Sequence, residues 1–253
     1  AMPADTIAGP ADVIDISATF DAATSQARPE LAKGTWRLMR FGHTTNGKTN
    51  EATAPYGGLG LECDKMSREA VRRYWESYPE MLLDIAGDDA GQTFCRLEID
   101  SYEAGGQDWT PLMPGEFKAR TGYDLLPWLP VMAGHNVGDA GQSKRFYTDF
   151  QKVVMTLFAE NYYGYMAELA HQSGGIRLLY QPYGTGRAKP FSPISTEAIT
   201  RQLPDDCFCT EFWLKPEKWG WPSVPRHTAI AHANGLRRVY AEGFTAWAPA
   251  AWR

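Results

Sequence analysis

Positive charge is in short supply in this chain. Lys and Arg number 25 against 30 Asp and Glu, a net charge of −5 with histidine neutral. A mildly acidic chain has no electrostatic reason to bind nucleic acid or an anionic membrane surface. Long apolar runs are missing too; none approaches the ~18–20 residues of a membrane-spanning helix. The opening Ala-Met-Pro-Ala-Asp lacks the basic and apolar regions of a signal peptide. Ala1 before Met2 reads as a residue left from expression, with the natural start elsewhere. Cys63, Cys95, Cys207 and Cys209 contain no C-x2-C pair, so free thiols are expected and a zinc knuckle is not. His43, His135, His171, His227 and His232 form neither an H-x3-H nor an H-E-x-x-H pattern, and His232 falls on a predicted helix as a structural residue. Gly57-Gly58-Leu59-Gly60 is not followed by a Lys-Ser/Thr pair, which excludes a phosphate loop, and Ser101 lacks the glycines of a nucleophile elbow. No internal repeat or low-complexity tract is visible.

What is present is an ordinary globular composition, 43% hydrophobic and 22% charged, with an unusual share of aromatics: 13%, including nine Trp and twelve Tyr. Most fill a core. Rings with wet polar tips also suit the flat apolar faces of a sugar or a nucleotide. The first fifty residues read as β, with strands expected at Val13–Ile16 and Thr35–Phe41, followed by a glycine-rich loop from Gly42 to Lys65. From Ser67 the pattern alternates. A helix opens at Ser67 as N-cap, with Val71, Tyr74, Trp75, Tyr78, Met81 and Leu82 at helical spacing. Strands are expected at Thr93–Asp100, Ile176–Tyr180, Cys207–Trp213 and Arg237–Ala241. Helices are expected at Pro114–Arg120, Gln142–Gln172 and Pro225–Gly235, with Asp124–Val131 broken by its prolines. Strand alternating with helix predicts a parallel sheet with crossover helices.

Chemistry collects at the C-terminal ends of these strands: Glu98-Ile99-Asp100-Ser101-Tyr102-Glu103, Tyr180-Gln181, Glu211-Phe212-Trp213 and Ala241-Glu242-Gly243. That rim is where ligands bind in parallel α/β folds. Strand alternation puts Leu97 and Ile99 on one face and Glu98 and Asp100 on the other, and separates Thr210 from Cys209 and Glu211 in the same way. A single strand-end Glu is usually solvated or salt-bridged. Four acids or amides at equivalent positions, beside Tyr102, Trp109 and Trp213, are what glycosidic cleavage needs: one acid protonates the leaving oxygen while another activates water or attacks.

The motifs Gly60-Leu61-Glu62-Cys63-Asp64-Lys65-Met66-Ser67-Arg68-Glu69-Ala70, Leu97-Glu98-Ile99-Asp100-Ser101-Tyr102-Glu103 and Asp108-Trp109-Thr110-Pro111 resemble glycoside hydrolase family 106. So do Gly122-Tyr123-Asp124-Leu125-Leu126-Pro127-Trp128-Leu129-Pro130, Glu160-Asn161-Tyr162-Tyr163-Gly164, Glu211-Phe212-Trp213 and Ala241-Glu242-Gly243-Phe244-Thr245. The resemblance runs from about Asp12 to Arg253 with the motifs in order. It implies an inverting, calcium-assisted α-L-rhamnosidase acting on terminal α-L-rhamnose of plant polysaccharides or glycosides. The setting it implies is periplasmic or extracellular, in a bacterium. Glu103 would be the general acid and Glu211 the general base. Asp100, Gln181, Trp213 and Glu242 would contact substrate, and Glu242 and Asp100 would ligate Ca²⁺; Glu62 and Asp64 match the family motif without an assigned role.

The family core is a (β/α)8 barrel in a much longer chain, and such a barrel alone takes about 250 residues. Here residues 1–65 form a β-rich lead and loop, and residues 66–253 carry only four clear barrel strands. The expected fold is therefore α/β, a partial barrel with an N-terminal β-rich segment that pairs with further sequence of a larger enzyme or self-associates. A carbohydrate-binding module and an inactive fragment of a larger rhamnosidase remain the alternative readings.

Overall fold

The computed structural model describes residues 6–49, 59–102, 106–181, 193–213 and 223–245, and elements are numbered in chain order. By contact the chain divides into two units, residues 1–44 with 111–153 and residues 45–110 with 154–253. These units cut the chain differently from the boundary at residue 65, which follows chain order alone.

In the first unit, β1 (Thr6–Ile7) pairs in parallel with β5 (Asn136–Val137), and β2 (Phe20–Asp21) pairs antiparallel with β3 (Gln26–Ala27). The expected strands at Val13–Ile16 and Thr35–Phe41 do not form. Their β-branched and aromatic residues find no partner strand and no buried face: Ile14, Trp36 and Phe41 are exposed, and Leu38 is 75% exposed. Propensity without cross-strand packing does not make a strand. Helix α3 (Met113–Thr121) ends on Gly122 at φ 83, the left-handed cap that glycine adopts without a Cβ penalty. The aromatic core of this unit centres on Phe146, stacked on Trp128 at 5.7 Å and tilted against Phe117 at 5.6 Å. The Asp124–Val131 stretch becomes a 3-10 turn at Leu126–Trp128 and a short helix, α4 (Leu129–Met132), each with a proline in its first turn.

The second unit is built on β4 (Arg96–Ile99), β6 (Arg177–Tyr180), β7 (Cys207–Trp213) and β8 (Val239–Thr245). All are parallel and ordered β4-β6-β7-β8. Each strand lies beside its predecessor, and among the described residues the sheet is open, not closed. Helices α1 (Arg68–Ser77) and α2 (Pro79–Ala86) precede β4. The Ser67 hydroxyl accepts the Ala70 N–H, as its sequence position requires, but Pro79 breaks the expected single helix into two. Val71 and Trp75 go inward, whereas Tyr74, Tyr78 and Met81 stay exposed.

The long signal from Gln142 to Gln172 is one helical path in three parts: α5 (Ala140–Leu157), a π-helical segment Phe158–Gly164, and α6 (Tyr165–Gln172). Helix α7 (Pro193–Gln202) was not foreseen from sequence; a further helix, Ser223–Ala233, links β7 to β8 as expected.

Helices pack on one face of the sheet, and on the other Cys209, Gln181 and Glu211 are also buried. Ile99, Leu178, Tyr180 and Thr210 are buried on the helix side, together with Trp75, Leu169, Ile199, Leu203 and Ala231. Fully burying a large apolar side chain contributes about 1.5–3 kcal/mol before chain entropy offsets it. The alternate residues Arg96, Glu98 and Glu242 are exposed on the opposite face. This is the two-residue alternation read from the sequence, now carrying apolar residues to the helices and charges away from them. No helix among the described residues is long and apolar enough to cross a membrane.

Candidate active site at the strand ends

The C-terminal ends of the four parallel strands lie in the second unit, and the parallel register brings specific side chains together. Glu211 of β7 and Glu242 of β8 are direct cross-strand partners. Gln181 follows β6, and its Nε2 donates to Glu242 Oε2 at 3.2 Å. Gln181 is buried, and its Oε1 has no hydrogen-bond partner among the described residues. Glu211 is only 9% exposed, whereas Glu242 and Asp100 are open to solvent. Just beyond Glu242 the ladder slips: a bulge places Trp213 opposite Thr245, and Phe244 takes a left-handed φ of 62. Bulges at strand ends re-aim side chains and recur beside active sites.

Electrostatics tie the same residues together. Burial first, then the nearby Asp100 and Glu242 carboxylates, raises the Glu98 carboxyl above its ordinary value. The Cys209 thiol is pushed up to about 11, chiefly by burial; Glu98 and Glu242 add to the rise, while hydrogen bonds from the Glu242 backbone and the Gln181 side chain oppose it. Carboxylates close enough to disfavour one another's charge are a common feature of sites that move protons. The four cysteines are free.

Behind the rim, a frame holds the strand ends in place. Residues 62–67 are clamped by Gln107, whose Oε1 accepts the Lys65 N–H at 3.2 Å and whose Nε2 donates to the Cys63 carbonyl at 3.3 Å. Asp64 accepts the Thr110 hydroxyl at 2.7 Å and the Met66 N–H at 3.0 Å. The π-helical segment supplies three successive contacts. Asn161 Nδ2 donates to the Met66 carbonyl at 2.7 Å, the Tyr162 ring lies 5.0 Å from the Lys65 ammonium, and the Tyr163 hydroxyl donates to the Gln181 carbonyl at 3.3 Å. Such segments often mark functional sites. On the far side of β7, Thr210 Oγ1 meets His227 Nδ1 at 2.8 Å, and burial drops the His227 imidazole to about 4, with Arg226 adding a smaller push.

Of the residues singled out from sequence, the structure groups Gln181, Glu211 and Glu242, with Asp100 at the end of β4 coupled to Glu242 through Glu98. Glu103 and the Trp213 side chain lie outside the described residues. Glu62 and Asp64 belong to the frame. Among the described residues no group of three or more His, Cys, Asp or Glu side chains converges closely enough to hold a metal ion.

Sequence reasoning missed Lys65, Cys209 and the π-helical segment. The Glu160-Asn161-Tyr162-Tyr163-Gly164 motif was the available signal, because its consecutive polar and aromatic residues do not fit one face of an α-helix. The buried structural histidine is His227; His232 is exposed, because the helix turns that position toward solvent.

The α-L-rhamnosidase model of glycoside hydrolase family 106 matches residues 1–253. The rhamnosidase from Novosphingobium sp. PP1Y superposes with a TM-score of 0.71 at 27% identity, covering 93% of this chain and 23% of that structure. A protein of Formosa agariphila named "Putative beta-glucuronidase" is 35% identical over 247 residues, which is 96% of this chain and 20% of that protein. The chain thus spans about a fifth to a quarter of the length of the relatives it matches. With the motifs in order, the strand-end acids grouped and the family match extending from the first residue to the last, the chain belongs to glycoside hydrolase family 106, the α-L-rhamnosidase family.

Proposed function

We propose that this chain contributes the acid/base machinery of an inverting α-L-rhamnosidase, and that its open sheet is part of a (β/α)8-type barrel. The observation that carries the reading is the grouping of Gln181, Glu211 and Glu242 at the C-terminal ends of adjacent parallel strands, on the face opposite the helices. Glu103 protonates the glycosidic oxygen as it leaves, and Glu211 takes a proton from the water that attacks the opposite face of the sugar. Inversion requires ~6.5–9.5 Å between the two carboxyl groups to leave room for that water. Glu242, fixed by the Gln181 amide, accepts a hydroxyl hydrogen of the sugar, while Asp100 and Trp213 complete the contacts with the ring.

A Ca²⁺ held by Glu242 and Asp100 is part of the same proposal. Both are hard oxygen donors of the kind calcium takes, and after burial it is their charge that raises the Glu98 carboxyl, a repulsion that a dication would relieve. Bound there, the ion would neutralise the carboxylates and orient sugar hydroxyls. The described residues alone do not complete a metal-ligand cluster. The parallel edge of β4 is left for strands contributed by further sequence of a larger enzyme or by a second copy. The activity belongs in the periplasm or outside a bacterial cell, on rhamnose-containing glycans or glycosides.

The test uses the full polypeptide that carries this chain, assayed on an aryl α-L-rhamnoside, with the product anomer followed by NMR. Glu103→Gln and Glu211→Gln are each expected to lower kcat by about 10²–10⁴-fold, the usual weight of general acid/base catalysis, with little change in KM. A variant with near-normal kcat removes that residue from the role. An aryl β-glucuronide assayed in parallel covers the activity in the name of the Formosa agariphila relative; turnover of that substrate alone would replace rhamnose with a uronic acid.

A further inference from the structure

Lys65 is an uncommon residue in an uncommon place. Its side chain is 4% exposed, yet it carries an ammonium group, and its counter-ion is Glu62, three residues earlier. Lysine is almost never fully buried unless paired, because stripping water from the charge is costly. Two aromatic faces supply the rest of the solvation: Lys65 Nζ lies 5.0 Å from the centroid of Tyr102 and 5.0 Å from that of Tyr162. These rings come from two separate parts of the fold, the strand-end segment after β4 and the π-helical segment. A cation between two ring faces joins them electrostatically, and the attraction strengthens as water is excluded.

Tyr102 is the ring that matters for the site. It is buried, follows β4 by three residues and immediately precedes Glu103. Besides the ammonium, Tyr102 packs edge-on against Phe158 of the π-helical segment at 6.0 Å. The Lys65 backbone is fixed independently by Gln107, so the cation is anchored at its root and does not follow the ring. Glu62 remains one-third exposed, which leaves its carboxylate free to hold the ammonium from the solvent side.

We propose that Lys65, with Glu62 as its counter-ion, is a positioning residue for the strand-end site: its ammonium group grips the Tyr102 ring and fixes the backbone that runs from Asp100 through Tyr102. The catalytic consequence rests on the glycosidase reading above; the positioning itself does not. Lys65 touches no reacting atom in this scheme. It acts through Tyr102, and loosening it costs turnover because a general acid or a substrate contact a fraction of an ångström out of place loses much of its effect.

The test has two readouts, both on the full polypeptide. Hydrogen exchange of the segment 97–102 is compared for wild type, Lys65→Met, Lys65→Arg and Glu62→Gln, with β6 and β7 as internal controls. Lys65→Met is expected to lose on the order of tenfold protection in that segment while the controls hold, and Lys65→Arg to recover most of it, since guanidinium also stacks on aromatic faces. Glu62→Gln keeps the cation and its rings, so it serves where Lys65→Met fails to fold and is expected to show a smaller loss in the same segment. Unchanged exchange in the folded variants overturns the proposal, as does a loss spread evenly over β6 and β7. The second readout is kinetic, on whichever aryl glycoside the wild type cleaves: kcat falls on the order of tenfold in Lys65→Met with KM nearly constant, and Lys65→Arg restores it. Lost protection with unchanged kcat overturns the catalytic consequence. A wild type that cleaves no rhamnoside overturns the functional reading and leaves the exchange result to stand by itself.

Discussion

Acidification offers a direct probe of the contact behind β7. His227 is buried against Thr210, and its imidazole sits at about 4 where a free histidine sits near 6.5, mainly because burial disfavours the cation and secondarily because Arg226 repels it. The depressed value fixes the sign. The folded state holds His227 neutral, so below pH 6.5 the unfolded chain binds a proton that the folded chain refuses. The stabilisation is fully present above pH 6.5 and is lost as pH falls from there toward 4. Linkage over that interval gives a loss of about 2 kcal/mol between pH 7 and pH 4.5. The assay is equilibrium urea unfolding at a series of pH values for wild type and His227→Gln, which keeps a hydrogen-bonding side chain but cannot titrate. The variant starts from a lower stability at pH 7, so the comparison is between slopes. Wild type should lose about 2 kcal/mol more than the variant across the acid limb. Parallel curves would show that His227 does not titrate on unfolding and that the acid sensitivity of the chain belongs to its carboxylates.

Two further outcomes follow from the rim. Phe244 holds a left-handed backbone that costs a residue with a Cβ about 1–2 kcal/mol, and its ring is 60% exposed. Phe244→Gly should therefore raise the unfolding free energy in urea by roughly 0.5–1 kcal/mol after the entropy of glycine is subtracted, and a lower stability would show that the ring is held by contacts worth more than the strain. Thorough chelation of the full polypeptide, followed by readdition of Ca²⁺, should lower and then restore turnover of an aryl α-L-rhamnoside; unchanged turnover would remove the ion from the proposal.

Legibility followed the strength of the local pattern. The four parallel strands could be read because each is a short β-rich run between turn signals, and the two-residue alternation of Glu98, Ile99 and Asp100 was enough to foretell which face stays polar. The helix after Ser67 could be read to its cap but not to its break, because Tyr78 and Met81 keep helical spacing across Pro79 and only the proline marks the stop. The lead segment failed for the opposite reason. Ile14, Trp36 and Leu38 have strand propensity, yet a strand exists only with a partner, and one-dimensional pattern says nothing about partners. In the site, the acids at the strand ends were visible as types at equivalent positions. Lys65 was not, because a lysine in a glycine-rich loop looks solvated until the two tyrosines that bury it are brought in from far along the chain.

The π-helical segment Phe158–Gly164 also sets how the chain can change in length. A helix wound with a wider turn holds one residue more than an α-helix would over the same path, and that surplus is what lets Asn161, Tyr162 and Tyr163 each reach a different target. Deleting a single residue there and letting the helix relax to α geometry would leave the downstream turns facing as they do now, whereas the same deletion inside α6 would turn all that follows by about 100°. The buried row Tyr165, Met166, Leu169 and Ala170 of α6 would keep its place, and the cost would fall on the three contacts of Asn161, Tyr162 and Tyr163. In family members that lack this one residue, the helix beyond it should keep its packing while the links to Met66, Lys65 and Gln181 are lost.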